Sequence, residues 1–103
     1  MTKADIIDRI ATGTGLTKIE TEAVVNGFIT TLIEAMKEDD GVELRGFGSF
    51  RVQLRKARKA RNPQTNEEVR IGARYVPVFR PSKDLRRLVD QSMKGRQNTR
   101  NKK

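Results

Sequence analysis

The sequence predicts an α+β fold, and three observations carry that expectation. Two capped segments with helical periodicity open the chain, short alternating runs follow from Val42, and residues 51 to 74 form a cationic stretch folded around an Asn62-Pro63 turn. The expected architecture is an N-terminal helical hairpin, a three-stranded antiparallel sheet with a long protruding β-ribbon arm, and a short C-terminal helix.

Thr2-Lys3-Ala4-Asp5 is a capping-box-like start; Ile6, Ile7 and Ile10 follow, and Gly13 and Gly15 end this short amphipathic helix. Thr17-Lys18-Ile19-Glu20 is a better capping box. Behind it Val25, Phe28, Ile29, Leu32, Ile33 and Met36 recur at steps of three and four, giving the second helix a strongly apolar inner face. Gly41, after Lys37-Glu38-Asp39-Asp40, is the residue expected in the left-handed helix stop. Val42 and Leu44 then alternate with Glu43 and Arg45 as a short strand. Gly46-Phe47-Gly48 turns it into the next, the glycines suiting a tight turn or close backbone approach while the Phe47 ring is buried. On the return, Val76, Val78 and Phe79 restore apolar content up to Arg80-Pro81. Ser82 can cap a last helix with Leu85, Leu88 and Val89 on one stripe. The first 90 residues read as one domain. Residues 91 to 103, QSMKGRQNTRNKK, lack periodicity and are expected to be a disordered basic tail.

The arm, at about 54 to 75, is set by where apolar supply ends. A half-buried strand needs one apolar face, and Phe47, Phe50, Val52 and Leu54 provide it only as far as Leu54. Beyond that point one parity carries Lys56, Arg58 and Ala60, the other Arg55, Ala57, Lys59 and Arg61, so neither face can be buried. The return run has Val69, Ile71, Ala73 and Tyr75 against Arg70, Gly72 and Arg74, enough for a ribbon with a thin apolar seam. Such a ribbon is marginal alone in water and is expected to be ordered by a polyanion. At about 3.3 Å per residue it reaches on the order of 30 Å, enough to pass around a duplex.

Charge is divided sharply. Residues 1 to 50 hold five basic and nine acidic side chains, a net −4, while residues 51 to 103 hold 17 and four, a net +13. That division points to nucleic acid or an anionic surface as partner. No run approaches a membrane span and the first residues lack a signal-peptide core, so a soluble, cytoplasmic protein is expected. With no Cys and no His, disulfides, thiolate nucleophiles, zinc fingers and histidine acid/base chemistry are excluded, and no metal or cofactor is expected. With arm and tail set aside, about 70 residues remain for a core, a size at which a second chain is the simplest added support.

At GFGSF (46 to 50), RKARKARNPQT (55 to 65) and YVPVFRPSKDL (75 to 85) the chain resembles the HU/integration host factor family of bacterial DNA-bending proteins, a standard example of minor-groove architectural binders. The similarity runs without gaps from Met1 to about Val89. It implies an intertwined homodimer, with exchange for a related chain possible, whose two arms embrace double-stranded DNA in the bacterial nucleoid. By that resemblance the phosphate contacts are Arg55, Arg58, Lys59, Arg61, Arg74 and Arg80, with Lys3 and Lys83 in the first turns of two helices, where backbone amides favour an anion. Asn62 and Gln64 would touch the minor groove, Pro63 would intercalate at the arm tip, and Arg45 would read a narrow groove, in a stretch from Glu43 to Phe50 that is more similar to integration host factor chains than to HU. Without the resemblance, Pro63 simply presets a turn in which Asn66 takes the left-handed position. Ala60 and Asn66 stand where the family commonly has glycine, and Gly72 where many members have proline.

Two other classes are weaker. An enzyme of phosphodiester chemistry needs converging carboxylates, and Asp39, Asp40, Glu43 and the Glu67-Glu68 pair read more simply as capping and solvated charge. An RNA-binding or ribosome-associated protein needs stacking aromatics, and only Tyr75 is free of a core explanation.

Overall fold

The computed structural model describes the backbone of residues 1–101, with side chains as far as Arg96. The chain divides into two compact units, Met1–Glu38 and the residues from Asp39 onward.

The first unit is α1 (Lys3–Thr14) and α2 (Lys18–Lys37). Both begin in full capping boxes. The Thr2 amide donates to Asp5 Oδ2 at 2.8 Å and the Asp5 amide to Thr2 Oγ1 at 3.3 Å; at α2 the Glu20 amide donates to Thr17 Oγ1 at 3.1 Å. The Thr17 hydroxyl and amide in turn donate to the Glu20 carboxylate, and these bonds hold its pKa below the ordinary range. Gly15, at φ 79°, closes α1 in the left-handed conformation. After α2 that conformation falls to Asp39, at φ 55°, and not to Gly41 as the sequence suggests. A short Asp side chain tolerates the region, so the turn needs no glycine.

This unit has almost no core of its own. Ile7 and Ala11 are the buried hydrophobic residues among those described, with the Thr21 hydroxyl donating to the Thr17 carbonyl at 2.8 Å. On α2 the apolar residues cover a face wider than one chain can shield: Val25, Leu32 and Met36 are half-buried, while Val24, Phe28, Ile29 and Ile33 remain exposed.

The second unit follows in order as β1 (Val42–Leu44), β2 (Gly48–Arg55), β3 (Arg58–Arg61), β4 (Glu68–Ile71), β5 (Arg74–Pro81) and α3 (Lys83–Asn101). Strands β1, β2 and β5 make a three-stranded antiparallel sheet in that order, and β3 pairs with β4 in a separate ribbon. Opposed residues share a face, so Val42, Phe50 and Phe79 lie on one side with Val52, Pro77, Leu54 and Tyr75. Phe79 packs between two rings, at centroid distances of 4.8 Å to Phe50 and 5.1 Å to Phe47. Phe47 itself remains 45% exposed, so a single chain does not bury the ring as the sequence suggests.

The Gly46-Phe47-Gly48 corner uses its glycines differently. Gly46 takes φ 84° in the turn closed by the Phe47 amide on the Leu44 carbonyl at 2.9 Å. Gly48 is a close approach: a Cβ there would sit 2.5 Å from the Arg80 carbonyl oxygen and 2.7 Å from the Phe79 ring. Backbone cannot move away as a side-chain tip can. Gly48→Ala is therefore expected to lower stability by about 2–3 kcal/mol, read from urea unfolding, whereas Gly13→Ala, which meets nothing within 4 Å, leaves it unchanged or higher.

Ser82 caps α3 as expected, accepting from the Leu85 amide at 3.1 Å. The helix runs for 19 residues, Lys83–Asn101, past residue 90, where the sequence reading placed the start of the tail. Extending a nucleated helix needs no amphipathic period, only residues that tolerate it. Gln91, Met93, Lys94 and Arg96 do, and Lys94 adds an ion pair to Asp90 at 3.1 Å. Residues 102 and 103 of the expected tail lie outside those described.

Candidate nucleic-acid interface

The sheet has a cationic side opposite its apolar one. Cross-strand register puts Ser49 against Arg80, Arg51 against Val78, Gln53 against Val76 and Arg55 against Arg74, all on that face. Four arginines thus gather there, with Glu43, opposite Ser49, as the acid. Arg55 and Arg74 are directly opposed, a like-charge pair that weakens the ribbon unless an anion lies between or beside them.

The ribbon repeats the pattern. Lys59 faces Arg70 and Arg61 faces Glu68 on one side, while Arg58 faces Ile71 and Ala60 faces Val69 on the other. Lys59 Nζ lies 4.0 Å from Glu68 Oε1, an exposed ion pair too long and too solvated to cancel the cluster. Between the sheet and the ribbon, residues 56–57 and 72–73 are unpaired, though the register on either side is continuous. Two open grooves flank this gap. One is lined by Ala57, Arg58, Lys59, Arg70, Ile71 and Gly72, the other by Arg55, Lys56, Arg58, Arg74, Val76 and Pro77.

The tip is built by its own hydrogen bonds. The Asn62 amide donates to the Glu67 carbonyl at 2.9 Å, the Asn66 amide to the Asn62 carbonyl at 2.7 Å and the Gln64 amide to Asn62 Oδ1 at 2.9 Å. Asn66 takes φ 59°, the left-handed position read from the sequence, and Arg61 Nη1 donates to Asn66 Oδ1 at 3.3 Å. Pro63 has no amide to satisfy, and its ring is exposed at the end of the arm. Asn62 is half-buried because its side chain is spent on the turn, while Gln64 is exposed.

The remaining candidates sit at the other end of the sheet. The Ser82 amide donates to the Phe47 carbonyl at 2.9 Å and its hydroxyl to the Gly46 carbonyl at 3.0 Å, which pins the start of α3 to the Arg45-Gly46-Phe47 turn. Arg45 and Arg80 line one groove there, and Lys83 opens α3 where first-turn amides favour an anion. Lys3 belongs to the helical unit, where its Nζ donates to Asn26 Oδ1 at 2.9 Å.

Arg51 and Arg70, on the sheet and the ribbon, are cations that sequence reading left without a role. Parity alone placed them; only the register shows that one shares a face with Arg55, Arg74 and Arg80, and that the other opposes Lys59. Among the described residues no group of His, Cys, Asp or Glu could hold a metal ion, and no helix is long and apolar enough to cross a membrane.

Comparison with known proteins agrees over most of the chain. The family described as bacterial DNA-binding protein matches residues 1–90. DNA-binding protein HU 1 of Bacillus subtilis is 42% identical over 89 residues, covering 86% of this chain and 97% of that protein. Integration host factor subunit alpha of Myxococcus xanthus is 44% identical over 90 residues, covering 87% and 70%. Among solved structures, the Anabaena HU–DNA cocrystal structure aligns with a TM-score of 0.80 at 43% identity, over 86% of this chain and 97% of that one. HU from Thermotoga maritima aligns at 0.63 with 28% identity, over 86% and 98%.

Proposed function

Because this chain belongs to the family of bacterial DNA-binding proteins, we propose that two copies of it grip duplex DNA between their arms, neutralise phosphates along the cationic sheet face, and bend the duplex by inserting Pro63. It is an architectural DNA-binding protein and not an enzyme. The family implies a dimer. That the dimer is of identical chains is our reading, supported by apolar residues that a single copy leaves uncovered; pairing with a related chain is the other arrangement.

One observation carries the proposal. Like-charged side chains oppose each other across the arm, Arg55 to Arg74 and Lys59 to Arg70, on a ribbon whose exposed end is a proline. Such pairs cost stability in the free chain and are relieved by a polyanion lying along them. Phosphate contact by Arg55, Arg58, Lys59, Arg61, Arg74 and Arg80, joined by Arg51 and Arg70, supplies affinity with little base information. Asn62, Gln64 and Arg45 meet a minor groove whose donor pattern is degenerate, so duplex deformability governs placement. Lys3 and Lys83 add contacts at the helix starts. The protein would act in the cytoplasm on the bacterial nucleoid. The RNA-binding alternative has Tyr75 to offer for stacking, and that ring stands beside Leu54 on the apolar side of the sheet.

Pro63 separates bending from binding. Unstacking one base step costs a few kcal/mol, recovered as the bent duplex wraps more protein. Pro63→Ala keeps every arm cation. It is expected to lose most of the bend, measured by fluorescence transfer between duplex ends, while low-salt affinity falls less than about tenfold. A variant that bends DNA as far as the parent would remove the wedge.

A further inference from the structure

We infer that Ser82 is a positioning residue for DNA recognition: its hydroxyl ties the Arg45 turn to the start of α3 and so fixes where the Arg45 guanidinium meets a narrow groove. The role rests on the reading of Arg45 as a groove contact, and it falls to a side chain that carries no charge.

Arg45 has little to hold it locally. It follows β1 as the second residue of the turn that the Phe47 amide closes on the Leu44 carbonyl at 2.9 Å, and Gly46, the third, takes φ 84°. A central glycine in that region leaves the turn conformationally free. Arg45 itself is exposed. What fixes the turn comes from 36 residues along the chain, where the Ser82 hydroxyl donates to the Gly46 carbonyl at 3.0 Å. The Ser82 amide donates to the Phe47 carbonyl at 2.9 Å, so two successive carbonyls beyond Arg45 are pinned to one residue.

Capping α3 does not require this arrangement. A cap needs only an acceptor, which the same oxygen supplies by accepting from the Leu85 amide at 3.1 Å. An aspartate would cap as well, yet its carboxylate has no proton to give to Gly46. Burial does not require it either, because Gly46 is exposed and water would satisfy its carbonyl. A hydroxyl accepts and donates through one atom, and the run from the Leu85 amide through Ser82 to the Gly46 carbonyl strengthens both bonds. The bond that neither capping nor burial needs is the one that orders the turn.

The neighbours of Ser82 give that order a use. Arg80 shares a groove with Arg45, and Lys83, next in the chain, opens α3. Both contact phosphates in the function proposed above. Tying the Arg45 turn to the residue between them holds the groove contact at a constant offset from the phosphate contacts. Phosphate contacts set register, and an arginine held in register can sense how narrow the groove is. A turn ordered before binding also loses less freedom on binding.

The test compares the affinity of the full chain for a duplex carrying A-tracts, whose minor groove is narrow, with that for a mixed-sequence duplex of equal length at the same salt. Variants are assayed where circular dichroism shows them folded. Arg45→Gln is expected to reduce the A-tract preference about fivefold, and Ser82→Ala and Ser82→Gly about threefold or more, the scale of one ordering hydrogen bond. Glycine caps a helix nearly as well as serine, so its loss reports the turn and not the cap. Ser82→Thr keeps the hydroxyl and is expected to stay within about twofold of the parent. Arg45→Gln combined with Ser82→Ala should match Arg45→Gln alone, because Ser82 acts through Arg45. Serine variants that keep the preference while Arg45→Gln loses it overturn the inference, and so does a double variant whose two losses multiply. If the parent has no such preference, or Arg45→Gln retains it, the groove reading of Arg45 fails and this role of Ser82 with it, while salt-dependent affinity shows separately whether duplex binding stands.

Discussion

Phe28→Ala is expected to abolish the folded protein at micromolar concentration. The ring is 50% exposed in one chain, and Ile33 further along the same helix 48%, in a unit that buries only Ile7, Ala11 and Thr21. Truncating a buried phenylalanine costs about 3–5 kcal/mol, and in a two-fold assembly the loss is counted in both chains. The total rivals the roughly 5–15 kcal/mol that stabilises a typical domain. Circular dichroism and sedimentation equilibrium over a range of concentrations should show helix and dimer lost together, with Phe28→Leu retaining both. A Phe28→Ala chain that stays folded as a monomer would mean that each copy stabilises itself, and the two-armed arrangement would lose its basis.

The second large effect concerns the ribbon. Replacing Arg58, Lys59 and Arg61 with glutamine removes three cations per chain and six per dimer; it touches the Arg61 bond to Asn66 Oδ1 but leaves the Asn62, Gln64 and Asn66 amide bonds that build the tip. Each phosphate neutralised contributes about 0.9 to the log–log salt slope, so the slope should shrink by up to about five. At moderate salt, affinity should fall on the order of a thousandfold. The Lys59–Glu68 ion pair is lost as well, but an exposed pair at 4.0 Å contributes little, so folding should be unaffected. A slope altered by less than about one would place the phosphate contacts elsewhere.

What the sequence made legible was local. Thr2 and Thr17 announced their helices because a capping box is complete within four residues, and Asn66 could be assigned its left-handed turn because Asn62-Pro63 fixes the approach. The sheet's two faces followed from period two. Less legible was whatever depends on partners far along the chain. Arg51 and Arg70 gain meaning from the register, which pairs residues 27 and 11 positions away, Val78 and Lys59. The glycine at 48 signalled a close approach, yet only the fold supplies the Arg80 carbonyl that enforces it. The helix beyond Gln91 escaped because periodicity reports burial, and a solvated helix has none to report. Asp39 escaped because glycine is the commoner left-handed residue, and Gly41 stood two places on.

Fluorescence transfer between the two ends of an intact duplex, with and without saturating protein, tests the central claim most directly. The ends should draw together as the two arms close and Pro63 enters the stack, with the change lost in Pro63→Ala despite continued binding. A duplex that is saturated with protein and remains straight would contradict an architectural role for this chain.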